Sequence, residues 1–90
     1  MVGARLIGKR SRMEIVADIL TSCAEGGTNK TSIMYGNNLS YAQLQRYLNG
    51  LEASGLIAID GDGRYGITPA GKTALVSFER ALSALGELLK

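Results

Sequence analysis

Apolar residues along this chain recur first with a helical period, then with a shorter one. Met13, Val16, Leu20 and Cys23, with Ile15, Ala17 and Ile19 beside them, form one helical stripe. Ser11-Arg12-Met13-Glu14 stands ahead of it in the form of a capping box, and Gly26-Gly27 supplies the stop. The spacing predicts a first helix over 12–24. Thr28 opens a second, short helix over about 29–35, with Ile33, Met34 and Tyr35 as its apolar positions. Gly36-Asn37-Asn38 is a turn signal, because Gly and Asn accept positive φ. Ser40 then caps a third helix over about 41–54. Its Leu44, Leu48 and Leu51 share one face, flanked by Tyr41 and Tyr47, and Gly55 follows its end.

Beyond Gly55 the pattern becomes that of strands. Leu56-Ile57-Ala58-Ile59 and Arg64-Tyr65-Gly66-Ile67 are short and β-rich, and Asp60-Gly61-Asp62-Gly63 lies between them. Asp-Gly is the pair favoured in a two-residue hairpin. Thr68-Pro69 starts a fourth helix, with Thr as N-cap and Pro at the first helical position. Gly71, Leu75, Phe78, Leu82, Leu85 and Leu89 then alternate spacings of four and three, the rhythm of a heptad seam, which Ala74, Ala81 and Leu88 widen. The expected fold class is mainly α with a small β-hairpin: a winged helix-turn-helix with an extra C-terminal dimerisation helix. The expected organisation is an arm over 1–8, the winged-helix unit over 9–68 and the pairing helix over 69–90.

Composition narrows the chemistry. The 90 residues suffice for one domain, with 46% hydrophobic residues, 12 Gly and 1 Pro. Ten basic residues against eight acidic ones leave a net charge of +2, too small to argue for a nucleic-acid partner by itself. Position matters more, since Arg5, Lys9, Arg10 and Arg12 precede every acid in the chain. A solvated terminus and a basic arm lying near phosphates are both open readings of that cluster. With no histidine and Cys23 as the sole cysteine, a Ser-His-Asp triad, a Cys-His pair and the common zinc sites are excluded. Asp18, Glu25, Asp60 and Asp62 show no paired placement, and no phosphate-binding glycine loop is present. The chain is expected not to be an enzyme and to need neither cofactor nor metal. No apolar run is long enough for a membrane span, and no signal-peptide core is apparent, so a cytoplasmic location is expected.

Projection of the third helix turns the three leucines inward and Ala42, Gln43, Arg46, Asn49, Gly50 and Ala53 outward. An ordinary solvated face would look similar. In a helix-turn-helix, however, this face enters the major groove, where Gln and Asn can pair with adenine and Arg with guanine or phosphate. The start of the second helix, Thr28-Asn29-Lys30-Thr31, offers amides and donors to phosphate, although Thr28 could equally serve only as a cap. In the hairpin, Arg64 is the one cation beside two aspartates, so a purely structural hairpin is an equal reading; Tyr65 is expected to pack inward. Leaving Leu75, Phe78, Leu82, Leu85, Leu88 and Leu89 in water would forgo on the order of 10 kcal/mol. The early part of the last helix is therefore expected to pack on helix 1 and the hairpin and the later part on a second copy. Folding wholly onto its own domain is the alternative.

The run from Thr28 to Leu48, with Ile33-Met34-Tyr35 and Leu39-Ser40-Tyr41 at its centre, resembles the helix-turn-helix of small archaeal winged-helix DNA-binding proteins, the family of the ten-kilodalton Sulfolobus DNA-binding protein. Arg10-Ser11-Arg12-Met13-Glu14-Ile15, Gly55-Leu56-Ile57 and Tyr65-Gly66-Ile67-Thr68-Pro69-Ala70-Gly71-Lys72 agree with it. The chain departs from the family at Asn37, Asn38, Ala42 and Gln45, where members often carry lysine, and in a shorter last helix. The resemblance implies a cytoplasmic, nucleoid-associated homodimer on double-stranded DNA, its last helices antiparallel, acting in transcription regulation or chromatin organisation. The expected DNA-facing set is Arg10, Arg12, Thr28, Asn29, Lys30, Thr31, Ser40, Tyr41, Ala42, Gln43, Arg46, Asn49 and Arg64. A winged-helix protein-interaction module without DNA binding is the competing expectation.

Overall fold

All four helices begin where a side chain satisfies an amide that the helix itself leaves unbonded. In the computed structural model, which describes residues 11–88, α1 spans Arg12–Ala24, α2 Lys30–Gly36, α3 Tyr41–Ala53 and α4 Pro69–Leu88, with β1 (Ile57–Ile59) and β2 (Tyr65–Ile67) between α3 and α4. The Glu14 amide donates to Ser11 Oγ at 3.1 Å and the Ser11 amide to Glu14 Oε1 at 2.9 Å, completing the expected capping box. Thr68 caps α4 as expected and also ties it down. Its hydroxyl accepts from the Gly71 amide at 3.0 Å and donates to the Gly55 carbonyl at 2.6 Å.

The start of α2 differs from expectation. Asn29, not Thr28, is the cap, its Oδ1 accepting from the Ser32 amide at 2.8 Å. Thr28 instead forms an isolated antiparallel bridge with Tyr65, exchanging two backbone hydrogen bonds with it. This long-range pairing leaves no trace in local sequence.

The hairpin pairs Ile57 with Ile67 and Ile59 with Tyr65. Its turn is also not the two-residue one expected. The Asp60 amide donates to the Arg64 carbonyl, and residues 61–63 make the connection with Gly63 at φ +78°. A three-residue loop of this kind needs one left-handed residue, and Gly63 supplies it. Asp60 Oδ1 accepts from the amides of Asp62 and Arg64, and those two bonds hold its carboxyl below the ordinary aspartate range.

The core draws Ile19, Leu20 and Cys23 from α1, Ile33 from α2, Leu44, Leu48 and Leu51 from α3, and Ile57 and Tyr65 from the hairpin. Burial pushes the Cys23 thiol up to about 11, which makes it an inert filler. Between α2 and α3, Asn37 is buried with its Nδ2 donating to the Ile33 carbonyl, and Asn38 takes φ +55°. Two expected apolar positions are not core: Tyr35 is 76% exposed and Met13 59%.

α4 packs against α1 and β2 at its N-terminal end, with Leu75 seated on the core and Phe78 half-buried. Gly71 belongs to this contact rather than to a heptad seam. A Cβ there would collide with the Leu56 carbonyl oxygen and lie 2.7 Å from Ile67 Cγ1. From Glu79 to Leu88 every residue is exposed, including Leu82, Leu85 and Leu88. A 20-residue helix is about 30 Å long, and the longest extent of the molecule is 46 Å. Leu89 lies outside the described residues.

Candidate nucleic-acid interface

α3 buries its leucines and exposes the opposite side. Leu44 and Leu48 are fully buried, whereas Ala42, Gln43, Arg46, Asn49, Gly50 and Ala53 are all exposed. The side chains on that outer face are not independent of the backbone. Ser40 caps α3, accepting from the Gln43 amide at 3.2 Å, and the Ser40 amide donates to Gln43 Oε1 at 3.0 Å. One turn on, Gln45 Nε2 donates to Asn49 Oδ1 at 3.0 Å. Gly50 has open space around its Cα, so a surface could approach α3 closely there.

Helix α2 meets α3 at their N-terminal ends. Lys30 Nζ lies 5.7 Å from the centre of the Tyr41 ring, a cation–π arrangement, and Tyr41 is 61% exposed. Asn29 and Thr31 are exposed beside it and Thr28 is half-buried. Just before α2, Arg64 folds back from the hairpin and donates from Nη2 to the Gly27 carbonyl at 2.8 Å. Arg64 therefore flanks the α1–α2 connection instead of extending from the hairpin tip, which is left to Asp60 and Asp62. In chain order, contacts run from Arg64 on Gly27, through the Thr28 bridge and Lys30 over Tyr41, to the start of α3. Arg12 is exposed at the start of α1, and Arg10 lies outside the described residues.

Tyr35 is the exposed aromatic that sequence reasoning assigned inward. It stands two positions, some 200° of helical turn, from the buried Ile33. That geometry was available in the sequence, but a seven-residue helix is too short for its periodicity to be read with force.

The chain carries ten basic and eight acidic residues, a net charge of +2, and Arg5, Lys9, Arg10 and Lys90 lie outside the described residues. Among the described residues no group of three or more His, Cys, Asp or Glu side chains could hold a metal ion, and no helix is long and apolar enough to cross a membrane.

Helices α1 to α3, the hairpin and α4 together match a winged helix-turn-helix family profile over residues 9–85. The chain belongs to the winged helix-turn-helix family. Within it, the second and third helices are the helix-turn-helix and the β1–β2 hairpin is the wing. Sso10a-2, a DNA-binding protein from Sulfolobus solfataricus, has a similar crystal structure: 33% identity, a TM-score of 0.63, and coverage of 90% of this chain and 98% of that one. An uncharacterized protein of Methanocaldococcus jannaschii is 34% identical over 64 residues, 71% of this chain. The match spans 65% of that relative's length.

Proposed function

We propose that this winged-helix protein binds double-stranded DNA as a homodimer, with α3 entering the major groove. The observation that carries the reading is the display of α3. Its leucines are buried, its small and polar side with Arg46 is exposed, and the start of α2, with Lys30 over Tyr41, stands beside it. Helix-turn-helix proteins place this face against base edges while the preceding helix meets the backbone. Asn29, Lys30, Thr31 and Arg64 are then the phosphate contacts, joined by Arg10 and Arg12 from the N-terminal side. Ser40, Tyr41 and Ala42 line the entry of the helix. The DNA-binding character of Sso10a-2 supports the same reading.

Dimerisation rests on α4. Leu82, Leu85 and Leu88 stand in water on the projecting half. Behind them, Met13, Val16, Leu20, Leu56, Leu75 and Phe78 line an apolar groove of about 230 Å³. Antiparallel pairing of two α4 helices would cover the leucines and bring each tip toward the partner's groove. Residues 69–90 are the pairing element in this reading and 9–68 the DNA-binding unit. The protein would serve as a cytoplasmic, nucleoid-associated regulator of transcription or organiser of chromatin.

Fluorescence anisotropy on duplex DNA tests the proposal. Binding at low salt that weakens steeply as salt rises is expected; absence of binding at low salt refutes it. The near-neutral net charge of +2 and the two aspartates at the hairpin tip favour a second reading, a protein-interaction module. A stable protein partner that duplex DNA fails to displace would support that alternative.

A further inference from the structure

Resting on the DNA-binding reading, we infer that the exposed row on α3 presents hydrogen-bond donors and selects guanine, through its N7 and O6, over adenine. Gln43, Arg46 and Asn49 are three residues apart in turn and all exposed, so they form one ridge along the helix. The capping box decides what Gln43 shows. The Ser40 amide can only donate, so the atom facing it at 3.0 Å is the carboxamide oxygen. With that oxygen held against the backbone, the amide nitrogen is the group left to meet a base. Asn49 is oriented in the same sense, its Oδ1 accepting from Gln45 Nε2. Gln45 Oε1, on the other side of that carboxamide, is buried with no hydrogen-bond partner among the described residues, so Gln43 and Arg46 carry the donor assignment. Arg46, between the two, has donors alone.

Paired recognition of adenine needs an acceptor for N6 as well as a donor for N7, whereas guanine presents two acceptors side by side. The row therefore matches guanine, and the adenine pairing that Gln and Asn could make as unconstrained side chains is disfavoured. Glu52 continues the row but sits in the last turn of α3, away from the N-terminal part of a recognition helix that reads bases. Ala42 and Gly50 flank the ridge without bulk that would hold a base edge away.

The test is a competition by anisotropy among equal-length duplexes rich in G·C, I·C, 7-deazaguanine·C or A·T pairs. Inosine keeps N7 and O6 and lacks only the minor-groove amino group; 7-deazaguanine lacks N7. The expected result is that G·C and I·C compete equally, about tenfold or more better than A·T, and that 7-deazaguanine loses most of the advantage. Gln43→Glu and Asn49→Asp keep an oxygen for the internal bond and turn an acceptor outward. Both are expected to reduce the G·C to A·T ratio toward one with helix content unchanged. Equal competition by G·C and A·T, with salt-sensitive binding intact, overturns the donor ridge and leaves DNA binding standing. Loss of competition by I·C, or its retention by 7-deazaguanine, overturns it as well. Failure to bind any duplex at low salt instead removes the underlying function.

Discussion

Two glycines in α4 respond to different surroundings, and the same substitution should act on them with opposite sign. At Gly71 a methyl group has nowhere to go, since the Leu56 carbonyl and Ile67 side chain already occupy its position. Gly71→Ala is expected to destabilise the fold by about 1–3 kcal/mol, outweighing the gain in helix propensity. Gly86 has nothing within 4 Å of the corresponding position. Gly86→Ala is expected to stabilise by up to about 1 kcal/mol. Urea unfolding midpoints of the two variants check both signs. Asp60 gives a pH-dependent counterpart. Two backbone amides favour its ionised form in the folded state, so its carboxyl titrates lower there than in the unfolded chain. That contribution is present above the ordinary aspartate range and fades as pH falls through the folded value. The midpoint difference between the parent protein and Asp60→Asn should therefore shrink between pH 5 and pH 2. A constant difference would assign the loss to geometry alone.

At the scale of elements, α4 divides into a half that belongs to its own domain and a half that does not. Leu75 and Phe78 are at least half covered by α1 and its surroundings, while Leu82 and Leu85 are exposed in the single chain. The double variant Leu82→Glu with Leu85→Glu should fold normally yet sediment as one chain, where the parent sediments as two. A parent protein that sediments as one chain at high concentration would contradict the pairing role. This two-part behaviour was legible in the sequence, because a chain of this size cannot cover a stripe that long. Helix limits were legible too, since Ser11, Ser40 and Thr68 act on amides within three residues of themselves. What escaped was non-local. The Thr28–Tyr65 bridge, the close approach at Gly71 and the folding of Arg64 onto Gly27 join residues distant in the chain. The inward face of α3 was readable from its leucines, but the orientation of the Gln43 carboxamide was not, because it depends on one hydrogen bond.

For the whole molecule, affinity for a polyanion has to arise from arrangement rather than net charge. Ten basic residues stand against eight acidic ones, and four of the ten, Arg5, Lys9, Arg10 and Arg12, precede every acid in the chain. Lys9→Ala with Arg10→Ala is expected to lower the steepness of the salt dependence by about two, the slope being close to 0.9 per neutralised phosphate. Base discrimination should be unaffected, because that end of the chain is separate in sequence from the ridge on α3. Arg46 sits at the centre of that ridge, exposed and with no structural task among the described contacts, so it separates a DNA-reading helix from a merely solvated one. The direct measurement is duplex binding of Arg46→Ala beside the parent protein at two salt concentrations. A loss of about tenfold or more in affinity, with thermal stability unchanged, is the expected result. Binding equal to the parent at both salts would contradict the assignment of α3 to the major groove.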